Sequence, residues 1–162
     1  MSATDRYIRN NDFYASHFAE QKPMEPSEHV AVVACMDARL NIYAILGLKE
    51  GEASVIRNAG GVITDDVIRS LAVSQQLLGT REIILIHHTD CRMLTFPGYS
   101  LKDPIRGKDN LKPLWPEESF HDVTIDLRRS ISRVKSSNYI LHNEAVRGFV
   151  FDVSTGHLDE VK

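Results

Sequence analysis

Two stretches of this chain concentrate groups able to hold a metal. Cys35 opens the run Cys35-Met36-Asp37-Ala38-Arg39, and Cys91 closes His88-Thr89-Asp90-Cys91. Two thiolates and one imidazole form the donor set of a catalytic zinc site, in which three protein ligands leave a fourth position open. His88 and Cys91 are spaced so that a tight turn can aim both donors at one ion. Cys35 lies far upstream and joins them only if the fold brings it there. Asp37 and Arg39 stand two apart, so in an extended segment their side chains project to one side. The carboxylate would then accept a hydrogen bond from metal-bound water, while the guanidinium orients it and keeps it ionised. The chemistry this pattern supports is activation of water. Taken singly, each residue also suits a blander role: inert buried thiols, a solvent-facing histidine and a surface ion pair. A non-catalytic zinc site would need a fourth strong ligand, for which Asp37 is available. A redox dithiol is disfavoured because the cysteines lack Cys-x-x-Cys spacing.

Convergence of these residues requires particular elements. Residues 29–34 form a short apolar, β-branched run, which reads as a buried strand ending at Cys35. A short helix over 41–46 precedes a second strand over 53–58, which runs into Ala59-Gly60-Gly61. Thr64 is placed to cap a helix with Asp65 and Asp66 in its first turn and Gly79 at its stop. Residues 82–87 read as a third strand that delivers His88. Residues 120–134 have the spacing of an amphipathic helix. Residues 148–153 read as a fourth strand, and 158–161 as a short fifth. The segment 97–116 has four prolines and two glycines and reads as an irregular excursion. Residues 1–28 form an N-terminal arm with a helix over 12–20. Strands alternating with helices predict an α/β fold, with a central, mainly parallel sheet flanked by helices. Ligands of such sheets sit beyond the carboxyl ends of the strands, where Cys35, Asn58 and His88 all fall. His87, next to His88 on its strand, should face the opposite side and pack as a structural histidine. Phe96, Tyr99 and Trp115 are candidates to line an entrance.

The chain has 162 residues, a length that suits one domain over 1–162. Its formal charge of -3 gives no electrostatic reason to expect nucleic acid or a membrane surface as a partner. The first residues lack an apolar signal core, and the expectation is a cytoplasmic protein. A reducing compartment would keep both thiols available for metal.

The order Cys35-x-Asp37-x-Arg39, Arg57-Asn58-Ala59-Gly60-Gly61, His88-Thr89-x-Cys91 resembles the β-class carbonic anhydrases. The likeness extends through residues 64–70 and 148–152, and is greatest for the compact members, a subgroup that includes carbonyl sulfide hydrolases. The resemblance implies the β-carbonic anhydrase fold with an N-terminal helical arm. It implies one Zn2+ per chain on Cys35, His88 and Cys91, with Asp37 and Arg39 as the catalytic dyad. Asn58, Ala59, Gly60 and Arg92 would shape the substrate pocket. The implied reaction is hydration of CO2 to bicarbonate, hydrolysis of carbonyl sulfide, or both; carbon disulfide is a third substrate of the same kind. The implied assembly is a homodimer or a dimer-based oligomer, with the arm crossing onto the partner. Arg92 departs from the family's glycine after the second cysteine. It could narrow the pocket, attract an anion or point to solvent, and would be strained if its backbone required positive φ.

Overall fold

The structure, a computed structural model, describes residues 2–94, 116 and 118–162. The expected excursion over 97–116 lies, except for Pro116, outside the described residues, as do Phe96, Tyr99 and Trp115. In chain order the elements are α1 (Ala3–Ser16), β1 (Val30–Cys35), α2 (Ile42–Leu46), β2 (Ala53–Asn58), a single 3-10 turn (Ala59–Gly61), α3 (Asp65–Leu78), β3 (Glu82–His88), α4 (Val123–Lys135), β4 (Val146–Phe151) and β5 (Leu158–Val161). The strands form one sheet in the order β2-β1-β3-β4-β5. All neighbours are parallel except β4 and β5, which pair antiparallel. This is the mainly parallel α/β sheet the sequence predicts.

The apolar residues of alternate parity explain the layers. Ala31, Val33, Ile83 and Leu85 face one side, where they pack with Val67 and Leu71 of α3 and with Leu127 and Val134 of α4. Val32, Ala34 and Ile86 face the other, with Leu40, Ile42, Phe120 and Phe151. At Gly148 a Cβ would lie 2.7 Å from Ile131 Cδ1, so α4 rests directly on the backbone of β4.

Several boundaries differ from the sequence expectation, each for a local reason. The arm helix occupies Ala3–Ser16 rather than 12–20, because Ser2 and Asp5 form a reciprocal capping box at its start. α4 starts after Asp122, whose carboxylate accepts from Ile125 N–H, rather than at Phe120. Phe120 instead bridges to Leu94. β4 stops at Phe151, where Asp152 Oδ1 accepts the N–H groups of Ser154 and Thr155 and turns the chain. α3 is capped by Thr64 and closed by a left-handed Gly79, as its sequence requires.

Strand order decides where a ligand can sit. The chain leaves β1 toward β2 on one side and returns to β3 on the other, so the connections diverge at the carboxyl ends of β1 and β3. A crevice opens at such a switch point. Cys35 ends β1 and His88 ends β3.

Candidate metal centre

β1 and β3 are adjacent and in parallel register, with Ala34 opposite Ile86, so Cys35 and His88 emerge at nearly the same level. A turn through Thr89 and Asp90 then reverses the chain and brings Cys91 back. The left-handed residue of that turn is Asp90, at φ 54°, a conformation aspartate tolerates better than most residues. Arg92 is exposed and is not in the left-handed region. The backbone strain considered for an arginine at this position therefore does not arise.

Cys35, His88 and Cys91 are all buried, and their donor atoms lie within 4.8 Å of one another. The two sulfurs are 4.0 Å apart. Tetrahedral zinc with bonds of about 2.3 Å to each sulfur needs about 3.8 Å between them, whereas a disulfide needs about 2.05 Å. The geometry thus fits zinc and not a cross-link, and both cysteines are free. His88 Nδ1 donates to the Thr89 carbonyl at 2.8 Å. That bond leaves the lone pair on Nε2, which is buried without any hydrogen-bond partner. An orphaned imidazole nitrogen beside two thiols is costly unless an ion completes it.

The thiols share their protons unequally. Cys35 is held well below the ordinary thiol range, first by the S–H of Cys91 and then by His88 and the N–H groups of Asp37 and Gly60. Cys91, as the donor to that thiolate, is pushed up. Burial disfavours a charge on His88, but the Cys35 thiolate beside it outweighs burial and raises it. One thiolate is therefore already favoured before any cation arrives.

Asp37 and Arg39 are brought together, though not as an extended pair. Ala38 and Arg39 form a turn, and Arg39 N–H donates to Asp37 Oδ1 at 2.9 Å. The guanidinium folds back to bind both carboxylate oxygens, Nε to Oδ1 at 3.0 Å and NH2 to Oδ2 at 2.8 Å. These bonds hold Asp37 well below the usual carboxylate range. Asp37 Oδ2 lies 3.8 Å from His88 Nε2, at the rim of the donor cluster.

Sequence reasoning overlooked two supports. Asp90 takes the far end of Arg39: NH1 donates to Oδ2 at 2.8 Å and NH2 to its carbonyl at 3.1 Å. Arg39, with a lesser contribution from the charge of Arg92, keeps Asp90 below its usual range. Arg57 of β2 donates to the carbonyls of Cys35 and Asp37 at 2.7 Å each. Position alone could have flagged both, since Asp90 lies inside the His-Thr-Asp-Cys run and Arg57 directly precedes Asn58.

The residues expected to shape a substrate pocket are placed as follows. Asn58 is half-buried and donates from Nδ2 to the Val62 carbonyl at 2.8 Å, so it braces its own turn. Ala59 is half-buried in that turn. Gly60 lies against Met93, whose Cγ would be 2.9 Å from an added Cβ; the close approach there is by the chain itself. Gly61 is the tighter position, at φ 69°, where a Cβ would meet the Cys35 nitrogen at 2.9 Å and the Ile86 carbonyl oxygen at 3.1 Å. His87, as expected, turns away from the centre and is fully buried.

Residues 30–113 match the family model described as carbonic anhydrase. The chain is 56% identical over 161 residues to β-carbonic anhydrase 1 of Mycobacterium tuberculosis, covering 99% of each. It is 49% identical over 151 residues to a carbon disulfide hydrolase of an Acidianus species, covering 78% of this chain and 74% of that protein. Among solved structures, a carbonic anhydrase from Streptococcus mutans superposes with a TM-score of 0.91 at 38% identity, covering 100% of this chain and 99% of that one.

Proposed function

The chain belongs to the β class of the carbonic anhydrase family, whose members are zinc enzymes, and from that premise we propose that it hydrates CO2 to bicarbonate at a zinc ion held by Cys35, His88 and Cys91. The observation that carries this reading is the triad of buried donors with the unpartnered His88 Nε2 and the Asp37 carboxylate at its rim. Zinc bound there would supply a Lewis acid that makes water nucleophilic near neutral pH.

The chain's own residues do the rest. Asp37, kept ionised by Arg39, can only accept hydrogen bonds, so it would orient the attacking water and fix the direction of its lone pair toward carbon. Arg39 cannot swing freely because Asp90 holds its other end, which keeps the carboxylate aimed. With both its oxygens engaged by Arg39, Asp37 is a poor fourth ligand, which supports an open catalytic site over a closed structural one. Arg57 steadies the Cys35 end of the centre. The thiolate chemistry suits a reducing, cytoplasmic setting, and no helix among the described residues is long and apolar enough to cross a membrane.

A second reading, hydrolysis of carbonyl sulfide or carbon disulfide by the same attack on carbon, is favoured by the similarity to carbon disulfide hydrolases. Stopped-flow CO2 hydration and sulfide release from both sulfur compounds, run on one zinc-loaded preparation, separate the two. Bicarbonate formation that outpaces sulfide release supports the first reading; rapid sulfide release with negligible CO2 turnover overturns it.

The assembly we infer is a homodimer or a dimer-based oligomer. Its support is α1, none of whose residues is buried although it displays Tyr7, Ile8, Phe13 and Tyr14. Such a helix gains little from its own chain and would be stabilised by a second copy.

A further inference from the structure

On the face of β3 opposite His88 lies a second buried histidine that the chemistry above does not use. His87 has no exposed surface and stacks on Phe120, with ring centroids 5.7 Å apart and planes inclined by 19°. Its Nε2 donates to the Gly61 carbonyl at 3.2 Å. A neutral ring with its proton on Nε2 presents a lone pair at Nδ1. That atom faces Asp126 Oδ2 of α4 at 3.4 Å, and neither has another hydrogen-bond partner. Burial pushes Asp126 up to about 6, so its carboxyl can carry the proton that joins the two.

An apolar side chain on Phe120 would fill this space without the cost of burying polar groups. What the histidine adds is a grip on Gly61. That residue is wedged against the backbones of Cys35 and Ile86, at the ends of the two ligand-bearing strands. We propose that His87, oriented by Asp126, is a positioning residue for the metal centre: it holds the Gly61 carbonyl and, through that glycine, the Cys35 backbone packed against it. The proposal rests on the reading of Cys35, His88 and Cys91 as zinc ligands.

The test compares variants that keep or remove each donor. His87→Phe keeps a stacked ring and loses the Nε2–H; His87→Gln keeps a donor within reach of Gly61. Asp126→Leu removes the partner of Nδ1, and Asp126→Asn supplies an amide donor in its place. The readouts are zinc transfer to a chromophoric chelator, the visible spectrum of the cobalt(II)-substituted protein, and melting of the metal-free form. Outer-shell supports of metal ligands are worth about tenfold or more in affinity. His87→Phe and Asp126→Leu should therefore release zinc about tenfold faster and alter the cobalt spectrum, with His87→Gln and Asp126→Asn within about threefold of wild type. Variants that melt earlier but keep the wild-type release rate and spectrum overturn the proposal, leaving only a structural role. So does a His87→Gln that loses zinc as fast as His87→Phe. If His87→Phe does not fold, the Asp126 pair decides. A wild-type protein that takes up no zinc overturns the reading of the centre itself, before any variant is compared.

Discussion

Asp37 carries two charged hydrogen bonds from Arg39, and Arg39 is itself anchored by Asp90 on the turn that delivers Cys91. The dyad is thus a three-residue chain that ties the loop after β1 to the loop after β3. A carboxylate held so far below its usual range is a hydrogen-bond acceptor throughout the neutral range and not a proton store. Asp37→Ala should therefore lose the orientation of water but none of the three proposed ligands. CO2 turnover should fall by about a hundredfold or more, with zinc content by elemental analysis unchanged. Retained activity would remove Asp37 from the reaction, and loss of zinc would make it a ligand of a closed site.

The turn Ala59–Gly61 and the helix α4 are the elements that brace the centre from behind. Gly61 combines a left-handed backbone with backbone neighbours that cannot move aside cheaply. Gly61→Ala should cost about 2–4 kcal/mol, combining backbone strain with overpacking, as measured by urea unfolding of the metal-free protein. A loss below about 1 kcal/mol, the usual scale of a surface change, would mean the turn can relax. On α4, Asp126 is pushed up to about 6 by burial, against an unfolded value of about 3.9. Its folded form prefers the proton, so its favourable contribution is present at low pH and is lost as pH rises through about 6. Asp126→Asn carries no such dependence. The stability of wild type relative to Asp126→Asn should fall by about 2 kcal/mol between pH 4.5 and 8, measured by urea unfolding of the zinc-loaded proteins at both pH values. Equal dependence on pH in the two would show that Asp126 titrates normally.

At the scale of the molecule, the N-terminal arm is the part that a single chain leaves unfinished. One hydrogen bond, from Tyr14 to Glu50 at 2.8 Å, ties its helix to the body. Tyr7, Ile8 and Phe13 are each more than half exposed, which an isolated chain has no reason to tolerate together. Ile8→Asp combined with Phe13→Asp should shift the proposed dimer toward monomer in light-scattering chromatography. An unchanged mass would place the interface elsewhere.

The sequence by itself determined the donors, the strands that carry them and the class of sheet. Those signals are local: a β-branched run before Cys35, another before His88, a threonine cap and a glycine stop around α3. It also determined that His87 and His88 face opposite ways, because alternation along a strand is a property of the backbone. What only the tertiary structure decided depends on contacts between distant segments. Arg57 reaches Cys35 from β2 because the two strands are in register, and Asp90 meets Arg39 because two loops converge at the switch point. The left-handed residue after β3 proved to be Asp90 and not Arg92, since the course of that turn is set by where Cys91 must return. His87 meets Gly61 through the turn after β2 and Asp126 through the packing of α4 on the sheet. Spacing could list the ligands, but the groups that hold them still are brought together by packing.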